Sequence, residues 1–123
     1  MAATQDGSSA CKFFLVVRFW VAPEAEAQVR AWLEGGHVAE VVSQPGFLWC
    51  RRIRLEPKDG WPGYSMIYGI ASRAAFEAYN GNQALMDKFA AERAPFAAKM
   101  RIDRFFGEVD YEKKGSEQFS RNT

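Results

Sequence analysis

Hydrophobic and polar positions change period several times along the chain, and those changes mark its elements. Phe13 to Trp20 is dense in aromatic and β-branched residues and ends near Pro23, which predicts a strand. Phe13, Leu15, Val17 and Phe19 fall on one face, and Phe14, Val16, Arg18 and Trp20 on the other. Both faces are largely apolar, as expected of a central strand covered on both sides. Pro23 then suits a first helical turn and Glu24 and Glu26 its positive end, while Val29, Leu33, His37 and Val41 recur every four residues with Trp32 and Gly36 beside them. The spacing predicts an amphipathic helix over 24–43, closed by Gln44-Pro45-Gly46.

A second strand is predicted over Phe47 to Leu55, with Phe47, Trp49, Arg51, Ile53 and Leu55 opposed to a basic face of Leu48, Cys50, Arg52 and Arg54. Pro57 to Gly63 carries hairpin turn residues, and Tyr64 to Ile70 supplies the return strand. Ser72 is placed to cap a short helix through Phe76 and Tyr79. Asn80-Gly81-Asn82 breaks that helix, and Asn82 caps another in which Leu85, Met86, Phe89 and Ala90 face the core until Pro95. Met100 to Tyr111 is read as a fourth strand.

The order β-α-β-β-α-β, with right-handed crossovers, gives an α+β ferredoxin-like domain: an antiparallel sheet with its helices on one face. The other face is left apolar, which calls for a partner sheet, so a homodimer is expected. The domain is expected over 12–112, between a disordered leader at 1–11 and a polar tail at 113–123.

Composition narrows the function. The 123 residues suffice for one core, and 48% hydrophobic with 25% charged residues is ordinary globular usage. A formal charge of +1 provides no field for nucleic acid or anionic membranes. No apolar run approaches bilayer length, and Met1 to Ala10 is small and polar, so the expectation is a cytoplasmic protein. Cys11 and Cys50 lack metal-ligand spacing and read as reduced thiols, and no nucleotide-binding glycine motif is present. Neither metal nor cofactor is expected. Aromatics at 15% exceed what a small core needs, and the surplus suits a pocket or an interface.

The segments Ala31 to Val42, Pro45-Gly46-Phe47, Gly60 to Tyr68 and Phe76-Glu77-Ala78-Tyr79 together resemble the dimeric α+β barrel superfamily. That group includes antibiotic-biosynthesis monooxygenase-like, EthD-like and muconolactone-isomerase-like proteins, and the chain is most similar to one uncharacterised bacterial family within it. The resemblance spans about residues 13–110. It implies a homodimer whose two sheets close into a barrel, and it carries His37 over as a pocket residue. Since the superfamily holds cofactor-free oxygenases, isomerases, cyclases, lyases, haem-binding proteins and proteins without demonstrated activity, it does not imply one reaction. Gly35-Gly36 before the histidine departs from the pattern and would loosen the helix there.

His37, the only histidine, lies on the apolar stripe of the first helix and reads either as an acid–base group facing a pocket or as a hydrogen-bonded core residue. Tyr64 and Tyr68 share one strand face and read as donors to a bound carbonyl or enolate, or as interface residues if that face is the open one. Arg18 requires an acidic partner, such as Glu108 or Asp110, or an anionic ligand. Trp20, Trp32, Trp49 and Phe89 are candidate pocket walls, and Trp61, in the Gly60 to Gly63 turn, a candidate lid. Arg51, Arg52 and Arg54 divide between two faces and fit an edge strand better than a nucleic-acid patch. Three functions follow: a cofactor-free acid–base enzyme of oxygenase, isomerase, cyclase or lyase type acting on a small apolar or aromatic metabolite, a non-catalytic small-molecule-binding or structural homodimer, or a haem-binding protein with His37 as iron ligand, which no other residue of the sequence supports.

Overall fold

The computed structural model describes residues 10–115. Most of the leader and tail expected from the sequence lies outside the described residues. Strand β1 (Phe13–Val21) leads into a 3-10 turn (Pro23–Ala25), helix α1 (Glu26–Trp32), a π-helical turn (Leu33–His37) and helix α2 (Val38–Val42). Strands β2 (Phe47–Lys58) and β3 (Trp61–Ile70) form a hairpin. Helices α3 (Arg73–Asn80) and α4 (Gln83–Arg93), a 3-10 segment (Ala94–Lys99) and strand β4 (Met100–Glu108) complete the chain. The sheet order is β2-β3-β1-β4 with every neighbour antiparallel, the ferredoxin-like arrangement.

The capping residues act as the sequence predicts. Ala75 N–H donates to Ser72 Oγ at 3.1 Å and Leu85 N–H to Asn82 Oδ1 at 3.1 Å, so α3 and α4 begin where their side chains satisfy free amides. The hairpin closes tightly at Asp59-Gly60, where φ is 53° and 79°. Two consecutive positive φ values suit the twist of antiparallel strands, and Lys58 pairs with Trp61 across them. Trp61 is therefore the first residue of β3 instead of part of the turn, and the Arg101 guanidinium lies 4.4 Å from its ring centroid.

The first helix is interrupted where Gly35-Gly36 stands. Gly36 leaves helical dihedrals altogether, and the backbone there widens into the π-helical turn. A stripe of residues spaced by four drifts by about 40° per step on an α-helix. Across the kink at Gly36, Leu33 and Val41 are nevertheless both buried on the sheet side, with His37 half-buried between them.

Register fixes the two sheet faces. Leu15 lies between Tyr68 and Phe106, and Val16 between Ile67 and Phe105. Phe13, Leu15, Phe19, Met66, Tyr68 and Ile70 thus pack under the helices, against Val29, Leu33, Val41, Phe76, Tyr79 and Phe89. The opposite face presents Phe14, Val16, Ile67, Ile53 and Phe105, with Ile53 47% and Phe105 50% exposed. Ala90, expected toward the core, is exposed: Phe89 occupies the buried line of α4. Tyr111 lies beyond β4 and is 79% exposed, so the fourth strand is shorter than its apolar pattern suggested.

Candidate active site

A cavity of about 230 Å³ opens between helices and sheet. Its body is apolar, formed by Leu15, Val17, Phe19, Met66, Met86 and Phe89 among others. The polar side chains in its wall are His37, Tyr68, Tyr79, Arg93 and Arg104, with Trp32 contributing its indole. A mostly apolar concavity with a few polar groups is the usual form of a small-molecule site.

His37 is held by aromatic packing. Its ring stacks on Trp32, with centroids 4.0 Å apart and planes at 21°, and meets Phe89 edge-on at 4.4 Å and 81°. Trp32 is fixed in turn by its indole N–H, which donates to Glu92 Oε1 at 3.1 Å. His37 Nδ1 is buried without a hydrogen-bond partner among the described residues. Burial drives the imidazole pKa down to about 4, against a smaller upward pull from Glu92. The ring is therefore neutral near pH 7, with one nitrogen free to accept.

Tyr68 projects from β3 beneath the helices. Burial raises its phenol pKa well above the ordinary range, reinforced by the neighbouring Cys50 thiol, so the hydroxyl stays protonated and serves as a donor. Cys50 has its own pKa raised by burial and is a poor nucleophile as it stands. Tyr79 reaches the cavity from α3; its pKa is also raised by burial, against opposing pulls from Arg104 and Arg93.

The sequence-predicted residues divide between the two faces. His37, Tyr68, Trp32 and Phe89 meet in the cavity. Tyr64 lies on the helix side but outside the cavity wall, where its hydroxyl donates to the Glu26 carboxylate. Burial, followed by that hydrogen bond, raises its pKa. Arg18, Trp20, Trp49 and Trp61 belong to the opposite sheet face by strand parity. Arg18 forms a two-pronged pair with Asp103, directly across from it on β4, at 2.9 and 2.7 Å. Its acidic partner is thus neither Glu108, which binds Arg73 at 3.0 Å, nor Asp110. Trp20 packs over Gly63 and donates to the Glu56 carbonyl at 3.0 Å, and Trp49 lies over Gly69.

Sequence reasoning passed over Tyr79, Arg93 and Arg104 as site residues. Arg104 shares its strand parity with Ile102, which also lines the cavity, and that alternation was the available signal. Among the described residues no group of three or more His, Cys, Asp or Glu side chains is arranged to hold a metal ion, and Cys11 and Cys50 are both free thiols.

None of the family models searched matches the sequence, and no curated protein matches it. Solved structures do. A monooxygenase from the ActVA-Orf6 gene of Streptomyces coelicolor, in complex with nanaomycin D, is 16% identical with a TM-score of 0.67, over 91% of this chain and 100% of that one. A dimeric ferredoxin-like protein from an uncultured marine organism is 20% identical with a TM-score of 0.60, over 84% and 99%. SnoaB, a cofactor-independent oxygenase from Streptomyces nogalater, is 23% identical with a TM-score of 0.54, over 84% and 97%. The chain therefore has the ferredoxin-like fold that these solved structures share. No helix of the described residues is long and apolar enough to cross a membrane.

Proposed function

We propose that the protein is a cofactor-free acid–base enzyme that moves a proton on a small, largely apolar or aromatic metabolite held between its helices and sheet. The observation that carries this reading is the presence of a neutral imidazole and an undissociated phenol, His37 and Tyr68, in the wall of one apolar cavity. His37 accepts a proton from a carbon next to a carbonyl, and the Tyr68 hydroxyl donates to the oxygen on which the enolate charge develops. An imidazole with a pKa of about 4 is a weak base. It works only if the enolate is strongly stabilised, and exclusion of water from an apolar cavity strengthens the hydrogen bonds that do so.

The enolate can be reprotonated at another carbon, as in an isomerase, or can react with dioxygen, as in an oxygenase. SnoaB and the ActVA-Orf6 protein favour the oxygenase direction, by analogy of fold. The working form is a homodimer in which the apolar faces bearing Val16, Ile53 and Phe105 cover each other. The dimeric solved structure of like fold and the exposure of Ile53 and Phe105 support this arrangement.

A second reading, a binding dimer without catalysis, is favoured by the low basicity of His37. Deuterium exchange into 2-tetralone, a bicyclic ketone with acidic C–H bonds, separates the two. The enzyme reading predicts exchange at least tenfold above buffer, lost in His37→Gln and reduced in Tyr68→Phe with the fold intact. Saturable binding of the ketone without any acceleration would leave only the binding dimer.

A further inference from the structure

The electrostatics of the cavity are one-sided. Its wall holds two guanidinium groups, Arg93 at the end of α4 and Arg104 on β4, and no Asp or Glu among the residues described. Neither arginine belongs to any ion pair among the described residues, a property they share with Arg51 and Arg54 of β2 outside the cavity, while Arg18, Arg30, Arg52, Arg73 and Arg101 have carboxylate partners. Arg104, exposed at the cavity rim, donates to a neutral acceptor, Asn80 Oδ1, at 2.8 Å and lies beside the Tyr79 hydroxyl. Arg93 makes no side-chain hydrogen bond among the described residues and is half-buried. The acidic side chain next to it, Glu92, is already engaged by Lys88 at 2.7 Å and by Trp32 at 3.1 Å. Two cations without carboxylate partners at the rim of an apolar cavity favour an anion that brings its own apolar body, and guanidinium forks fit a carboxylate geometrically.

We propose that the cavity selects aromatic or polycyclic carboxylates, holding the carboxylate between Arg93 and Arg104 and the ring system against Phe19, Met66 and Phe89. This rests on the reading of the cavity as a binding site and adds the class of ligand. Tyr79, buried beside the same two arginines, supplies a hydroxyl donor to the anion. The arrangement orients the ligand, since its charged end faces Arg93 and Arg104 while its apolar end extends toward Leu15 and Met66.

Titration calorimetry with 2-naphthoate and its neutral isostere 2-naphthamide tests the assignment in the unmodified protein. The carboxylate should bind at least tenfold more tightly, and raising the salt to about 0.5 M should weaken it severalfold while leaving the amide unchanged. Arg93→Gln and Arg104→Gln should each remove most of the preference by weakening the carboxylate alone. Equal affinity for acid and amide in the unmodified protein would overturn the carboxylate assignment while leaving the cavity as a binding site. Failure of both probes to bind would overturn the binding-site reading together with it. Because the selectivity and its salt dependence are measured without mutation, the test survives a variant that does not fold.

Discussion

Acidification tests the burial of His37 through a difference that can be worked out beforehand. The folded imidazole titrates at about 4 and an ordinary histidine at 6.5. Between those values the unfolded chain binds the proton and the folded protein does not, so stability rises with pH across the window and is lost as pH falls through it. The full gap corresponds to about 3 kcal/mol, of which about 2 kcal/mol is already lost on moving from about pH 7.5 to about pH 5. Charged groups around the ring, Glu92 and Glu40 on one side of the balance and Arg93 and Lys88 on the other, partly cancel, and burial is the largest cause. Urea denaturation of the protein and of His37→Gln at both pH values isolates this contribution. Glu24, Glu34, Glu92 and Asp103, whose pKa values are lowered by hydrogen-bonded cations, also cost stability in acid, but they do so in both proteins. The variant should therefore lose about 2 kcal/mol less than its parent over this interval. Because the sequence contains one histidine, its ring-proton NMR signal gives the pKa directly. Parallel acid dependence of the two proteins, or a ring titrating near 6.5, would refute the reasoning.

Three further outcomes follow from other parts of the molecule. Tyr64→Phe removes the donor to Glu26 outside the cavity, and should cost about 1 kcal/mol in urea melts while changing the affinity for 2-naphthamide less than twofold. Gly69→Ala would place a Cβ 2.4 Å from the Trp49 ring, and overpacking of this kind should lower stability by about 1–3 kcal/mol, read as a drop in Tm. Phe105→Glu puts a charge on the open sheet face, halfway along the edge strand β4. Sedimentation velocity should show a dimer for the parent and a monomer for this variant, and an unchanged dimer would place the contact elsewhere.

The element order, the capping residues Ser72 and Asn82 and the break at Asn80 to Asn82 were legible in the sequence, because local hydrogen bonding sets them. The side of the sheet on which a residue sits was not. Strand β1 is apolar on both faces, so its pattern cannot say which face meets the helices, and only the pairing register puts Arg18 and Trp20 opposite the cavity. The same holds for Trp49 on β2. Pro62 and Gly63 give the segment around Trp61 the composition of a turn, whereas the two-residue turn at Asp59-Gly60 closes earlier and makes Trp61 a strand residue. Arg93 and Arg104 come from distant elements, and only the tertiary pairing of β4 with β1 brings them to one cavity. His37 was legible because its four-residue spacing from Leu33 and Val41 survives the π-helical turn.

The central claim is that the working site lies between helices and sheet, with His37 in its wall. Isotope-filtered NOE spectroscopy on the protein with bound 2-tetralone reads this directly, since the single histidine gives an unambiguous ring-proton signal. Saturable NOEs are expected from the ketone to the His37 ring and to Met66 and Met86. NOEs confined to Val16, Trp49 and Phe105, with none to His37, would put the ligand on the opposite sheet face and contradict it.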